Sequence, residues 1–234
     1  MYQDDRKPVG PVGHTAALVA FFVALGVAGS LFQRRSHSSA GSLETHPNVA
    51  PLYLSLIVAE WALVYWVWKG GLQPTGTKLG EIIGGMWSSG RRIATDLLLG
   101  FGLWLFWLGV LWVWRRFAGA HPAAPVDPLL PRHLYEGLLW IAVSVSAGFC
   151  EEVVFRGYLQ RQFWALTGNS CIAVLLQAVV FGVGHAYEGV NTALKIASYG
   201  LLFGLLAWWR KSLRPGMVAH AWSDIFAGLI SKAG

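Results

Sequence analysis

Seven apolar runs constrain this 234-residue chain more than any other feature: residues 14–32, 49–68, 93–114, 134–149, 171–185, 192–209 and 217–230. A helix needs about 20 mostly apolar residues to cross a bilayer, and in hydrocarbon every backbone N–H and C=O must be satisfied within the segment. The fold expected is therefore all-α: a polytopic transmembrane helical bundle of about seven to eight spans enclosing a polar cavity. An eighth span is expected only if part of 69–92 or 156–168 re-enters. Composition agrees, because 55% of the residues are apolar and 13% charged, against about 25% charged in a soluble domain.

The first run competes with a signal peptide. Asp4 and Asp5 offset Arg6 and Lys7 in its would-be basic region, and the run is long for a signal core, so a retained helix is expected. Residues 36–48 read as a polar loop, 69–92 as a Gly-rich loop with an interfacial helix, and 115–132 as a Pro-rich linker. The division expected is 1–133, N-terminal transmembrane helices with polar loops, and 134–234, a catalytic helical core, together one structural unit. A cytoplasmic N-terminus would put Arg6, Lys7, Lys69, Lys78, Arg91, Arg92, Arg156, Arg161, Arg210, Lys211 and Arg214 inside, eleven of the 18 basic residues, and the positive-inside rule favours that orientation. Trp66, Trp68, Trp112, Trp114, Trp208 and Trp209 fall at run ends, as an interfacial belt requires. Gly200 and Gly204 form a GxxxG spacing suited to close helix packing. Cys150 and Cys171 lack CxxC spacing and read as small buried hydrophobes. No basic stripe with interleaved aromatics appears, so nucleic acid is not an expected partner.

Ionisable residues inside spans are costly and mark function or a wet cavity. Here they are Glu60, Asp96, Glu151, Glu152, His185, His220 and Asp224, five of them from residue 151 onward. Glu152 and Arg156 are i and i+4 with the acid first, the favourable order for a helical ion pair. That pairing leaves Glu151, one position away and about 100° around the helix, as the less compensated carboxylate and a candidate general base. Phe181-Gly-Val-Gly-His185 ends another span. His220 and Asp224, again i and i+4, share one face of the last span. Two Glu, two His and one Asp from three segments could activate a water and stabilise an oxyanion, or could ligate Zn²⁺. There is no HExxH. Glu60 and Asp96 lie outside these motifs and read as interior hydrogen-bonding or cavity-lining residues.

The three motifs, Glu151-Glu152…Arg156, Phe181…His185 and His220…Asp224, in this order over residues 134–231, resemble those of the CPBP family: the CAAX-protease and bacteriocin-processing (Abi) intramembrane proteases. The resemblance implies a membrane-embedded endopeptidase that cuts a peptide bond near the membrane surface. Glu151 and His185 would be its water-activating pair, His220 and Asp224 its oxyanion-stabilising or metal-binding pair, with Glu152 completing the catalytic set beside Glu151 and Arg156 and Phe181 as structural support. It implies as partners the bilayer and a membrane-associated peptide or protein, prenylated in the type case, and as location a bacterial plasma membrane. Metal use in the family is contested, so Zn²⁺ held by Glu151, His185, His220 and Asp224 stands beside a metal-free, glutamate-dependent reaction. Asp224 occupies a position that is Asn in the eukaryotic-type prenyl proteases. An ionised Asp cannot donate to an oxyanion, so orienting His220 or ligating a metal suits it better. The competing expectations are a non-catalytic membrane protein, such as an immunity factor or peptide-sequestering partner, and an ion-coupled transporter in which Glu60 and Asp96 would matter. No paired broken-helix repeats support the transporter.

Overall fold

The computed structural model describes residues 7–39, 47–118 and 127–229. Arg6, most of the 36–48 loop, the middle of the 115–132 linker and residue 230 of the last run lie outside them. Among the described residues there is no strand. The helices are α1 (Val12–Ser39), α2 (Ala50–Trp66), the short α3 (Leu79–Ile83), α4 (Gly90–Ala118), α5 (Leu134–Glu151), α6 (Gln160–Thr167), α7 (Ser170–Gly184), α8 (Val190–Arg210) and α9 (Arg214–Leu229). Each of the seven apolar runs corresponds to one helix. Five helical stretches are long and apolar enough to cross a bilayer, α7 is a shorter apolar helix, and the chain is an integral membrane protein.

Four segments depart from the sequence reading: α1 runs on through Ser39 and α4 through Ala118, into residues read as loop and linker, and two further helices are extended. Helix α2 does not stop at the membrane edge: a π-helical turn (Val67–Leu72) and a 3-10 turn (Gln73–Thr75) carry it on, so Lys69 is helical. Residues 156–168 do not re-enter. α5 continues through a π-helical segment, Glu152–Leu159, into α6, giving one spanning helix from Leu134 to Thr167. All eight residues of that π segment are buried. A helix covered on every side belongs at the centre of a bundle, and α3, α7, α8 and the α2 extension pack around it.

Local signals explain the ends. His133 and Glu136 form a reciprocal capping box at the start of α5, and Glu136 Oε2 accepts from the Arg132 and His133 amides at 2.7 and 3.0 Å. Gly168 ends α6 in the left-handed conformation, and the Asn169 side chain then accepts from the Cys171 and Ile172 amides to start α7. This tight reversal sends α7 back along the bundle, with His185 as its C-terminal cap.

α7 packs on α8, and α5 lies between α2 on one flank and α9 on the other, with α4 against α9 and α1 against α7. The Gly200/Gly204 pair does permit close approach: a Cβ at Gly204 would stand 2.5 Å from Gln177 Nε2, and one at Gly200 would stand 2.8 Å from the Phe181 ring. Cys150 is a buried hydrophobe as expected. Cys171 is exposed, because its position on the first turn of α7 faces outward rather than into the bundle.

Candidate active site

The central helix, α7 and α9 bring their polar residues to one place. Glu152 and Arg156, both fully buried, form the expected ion pair, with Nη1 of Arg156 donating to Oε1 of Glu152 at 2.9 Å. The guanidinium stacks over Phe181 at 4.3 Å and Phe203 at 4.9 Å from the ring centroids. A desolvated cation gains most from aromatic faces, which explains how a residue so rarely buried sits at the centre of the bundle. Phe181, the first residue of the second motif, thus supports the last residue of the first.

The same oxygen of Glu152 also meets Nδ1 of His220 at 3.2 Å. An ionised carboxylate only accepts, so Nδ1 carries the proton and Glu152 fixes the ring, which also stacks on Phe203 (5.2 Å, 19°). Helix α9 comes this close because Gly216 faces Glu152: a Cβ there would lie 2.8 Å from Oε2. Nε2 of His220 is directed between two further acids, 3.5 Å from Oε2 of Glu151 and 3.7 Å from Oδ2 of Asp224. Sequence spacing assigned the orientation of His220 to Asp224. The structure gives that hydrogen bond to Glu152, and leaves Asp224 at ion-pair distance on the far side of the ring.

His185 caps α7 with Nδ1 2.9 Å from the Phe181 carbonyl oxygen. A carbonyl only accepts, so Nδ1 is the protonated nitrogen and Nε2 the basic one in the neutral ring. Asp224 and Glu188 each interact electrostatically with both His185 and Glu151, so the two motif residues share the same charged neighbours. Oε2 atoms of Glu151 and Glu152 are buried and without a hydrogen-bond partner in the protein. Unsatisfied acceptors at the centre of a spanning helix are what a water-binding site leaves open.

Four participants were not singled out from the sequence. Glu188 and Tyr187 form the turn between α7 and α8 and share a side-chain hydrogen bond, and burial holds the Glu188 carboxyl above its ordinary pKa while His185 pulls it back. A short polar turn after FxxxH was the available signal. Tyr199 donates or accepts at 2.6 Å with Ser223, one residue from Asp224, and its ring stacks on Trp107 at 4.5 Å. Ser223 lies inside the third motif; Tyr199 is an aromatic in an apolar run and carried no signal. Asp96 pairs elsewhere, with Arg210 at 2.7 Å and Trp87 Nε1 at 2.9 Å.

For a metal, the donor chemistry of His220 Nε2, Glu151 Oε2 and Asp224 Oδ2 suits Zn²⁺. Among the described residues, however, no group of three His, Cys, Asp or Glu side chains is arranged to hold an ion. The arrangement does not fit a bound metal as it stands, and no step below passes through one.

What fold and site define together is a helical membrane protein with a buried Glu/His/Asp centre. Residues 134–226 match the family model of the Rce1-like type II CAAX prenyl endopeptidases. That match agrees with the resemblance of the three motifs to the CAAX-protease family, a family of proteases. No curated protein and no solved structure matches the chain.

Proposed function

We propose that the protein is an intramembrane endopeptidase in which Glu151 and His185 activate a water for attack on a peptide carbonyl. The observation that supports this best is the geometry around His220: one nitrogen is tied to Glu152, and the other is directed between Glu151 and Asp224. In the proposed reaction Glu151 takes a proton from the water as its oxygen bonds to the carbonyl carbon. His185, with Nδ1 tied to Phe181, offers Nε2 as the second acceptor for that water. A proton on Nε2 of His220 stabilises the oxyanion of the tetrahedral intermediate. Glu151 then returns its proton to the amide nitrogen as the carbon–nitrogen bond breaks, so the net change is addition of one water across one peptide bond. Asp224 favours a proton on His220 rather than meeting the oxyanion itself.

The family match points to a membrane-associated, prenylated peptide as substrate. The end of the bundle at which α1 starts also gathers Lys69, Lys78, Arg91, Arg92, Arg161, Arg210, Lys211 and Arg214, and contacts such as Arg161 to the Ile82 carbonyl (3.0 Å) hold it together. By the positive-inside rule that end is cytoplasmic.

Cleavage of a quenched-fluorescent farnesylated CAAX peptide by purified protein tests the reading, with Glu151→Gln and His185→Ala beside it. Each should lose about 10²–10⁴ of the rate with an unchanged melting temperature. Full activity in both would overturn the assignment. Metal content measured on the same preparation separates the two chemistries. Stoichiometric zinc whose removal ends cleavage would replace the metal-free route, and metal-free cleavage would support it.

A further inference from the structure

Exposure around the reaction centre is one-sided. On the central helix it rises from Glu152 (side chain 0% exposed) to Glu151 (20%), and on α9 from His220 (9%) to Asp224 (37%). Both steps lead away from the basic end, because the central helix runs toward that end and α9 runs away from it. On the basic side of the centre the side chains are packed. Phe155, Arg156, Tyr158 and Leu159 are fully buried, and a Cβ at Gly157 would stand 3.1 Å from both Ile82 and Leu213. The Leu213 amide donates to the Ile83 carbonyl at 3.0 Å, and Arg214 donates to the carbonyls of Gly84 and Gly85. These bonds hold α3 and the two residues after it as a cover over that end.

Helix lengths place the turn between α7 and α8 on the other side. At about 1.5 Å per residue, Gly29 lies about 25 Å along α1 from Val12, and Trp114 about 27 Å along α4 from Asp96. A Cβ at Gly29 would stand 2.6 Å from Tyr187 Cβ, and Trp114 Nε1 donates to Asn191 Oδ1 at 3.1 Å. Two helices that leave the basic end thus reach the 186–191 turn after most of a hydrocarbon core about 30 Å thick. Asp224, ten residues along α9 from Arg214, is about 15 Å from the basic end, with the turn beyond it. In that turn Gly189 and Val190 are exposed, and Gly189 has a φ of +95°. Irregular backbone and part-exposed carboxylates are tolerated at membrane depth where they meet protein or water rather than lipid.

We propose that the centre opens to water at the face opposite the basic end, through an entrance framed by the 186–191 turn and the part of α9 beyond His220. On the hydrolytic reading above, the segment to be cut is a membrane-anchored peptide delivered from that face, and the hydrolytic water arrives by the same route. Asp224 and Glu151, the more exposed acids, stand nearest the entrance; Glu152 and Arg156, both fully buried, form its floor.

The test compares the two faces of the full-length protein in sealed membrane vesicles of opposite orientation, in a Cys171→Ser background because Cys171 is the exposed native thiol. Val190→Cys marks the proposed entrance and Met86→Cys the basic end, at positions 76% and 90% exposed, and each is read with a membrane-impermeant maleimide. The quenched-fluorescent farnesylated CAAX peptide, added outside, should be cut in the vesicles whose orientation labels Val190→Cys, and labelling there should slow cleavage in proportion to the labelled fraction. Cleavage in the vesicles whose orientation labels Met86→Cys, alone or equally, overturns the proposal. A second arm needs no activity. The thiol of Asp224→Cys should react with a small impermeant thiosulfonate from the Val190 side, and Glu151→Cys repeats the reading on the central helix. Reaction of both from the Met86 side, or from neither side, overturns the proposal. If the unaltered protein does not cut the peptide in detergent, the protease reading is what fails, and the thiol arm alone decides where the centre opens.

Discussion

The bundle holds two buried acid–arginine clusters, and they are finished differently. At the basic end of the molecule, Asp96 is almost fully satisfied. One oxygen accepts from Arg210 at 2.7 Å, the other from Trp87 at 2.9 Å, and Arg214 adds a contact at 3.6 Å while donating to the carbonyls of Gly84 and Gly85. These contacts tie the start of α4 to the turn between α8 and α9 and to the loop before α4. At the centre, Glu152 and Arg156 are more deeply buried and yet incompletely paired. Oε2 of Glu152 and Nε and Nη2 of Arg156 lack hydrogen-bond partners, and the bonded oxygen of Glu152 is shared with His220. The difference lies at the acids: both oxygens of Asp96 have partners, whereas Glu152 keeps one oxygen without a hydrogen bond and shares the other.

Arg156→Met is the most severe way to break this contrast. It leaves Glu152 buried with no cation, and loss of one member of a buried pair costs about 3–5 kcal/mol. The expected result is a large drop in melting temperature together with loss of cleavage, since Glu152, the anchor of His220, loses the cation that holds it. A stable, active Arg156→Met would show that the central cluster is the dispensable one.

Asp96→Asn should cost less, about 1–3 kcal/mol, because the amide keeps one acceptor and Arg210 and Arg214 reach other partners or solvent. Peptide cleavage at temperatures well below the transition should stay at the wild-type rate. A folded Asp96→Asn without activity would erase the distinction between clamp and centre.

The smallest effect concerns Glu188, whose carboxyl burial raises above its ordinary pKa. The folded protein then holds a proton that the unfolded chain releases, so stability contributed by the protonated form is lost as pH rises from about 4.5, the unfolded value, through the raised one. Glu188→Gln removes that dependence. The difference in melting temperature, variant minus wild type, should grow between acidic and neutral pH, by no more than a few degrees. A difference that is flat with pH would show that His185 fully offsets the burial.

Much of the architecture was legible without coordinates, because its causes are local. The apolar runs marked every spanning helix, and i,i+4 spacing paired Glu152 with Arg156. The extension of α2 to Thr75 and the unbroken passage from Leu134 to Thr167 were not legible. A helix that leaves the hydrocarbon, or stays buried while carrying Glu, Glu and Arg, is polar in sequence, and only its neighbours show that it is enclosed.

By itself the sequence determined that this chain lives in a membrane as helices, and which polar side chains those helices carry. Only the tertiary structure decided how those side chains pair. Glu152, rather than Asp224, holds His220, since helix packing at Gly216 brings α9 within hydrogen-bond reach of the central helix. Phe181 and Phe203 enclose Arg156. Contacts one turn apart are written into the order of the residues, but contacts across a bundle depend on which helix faces meet.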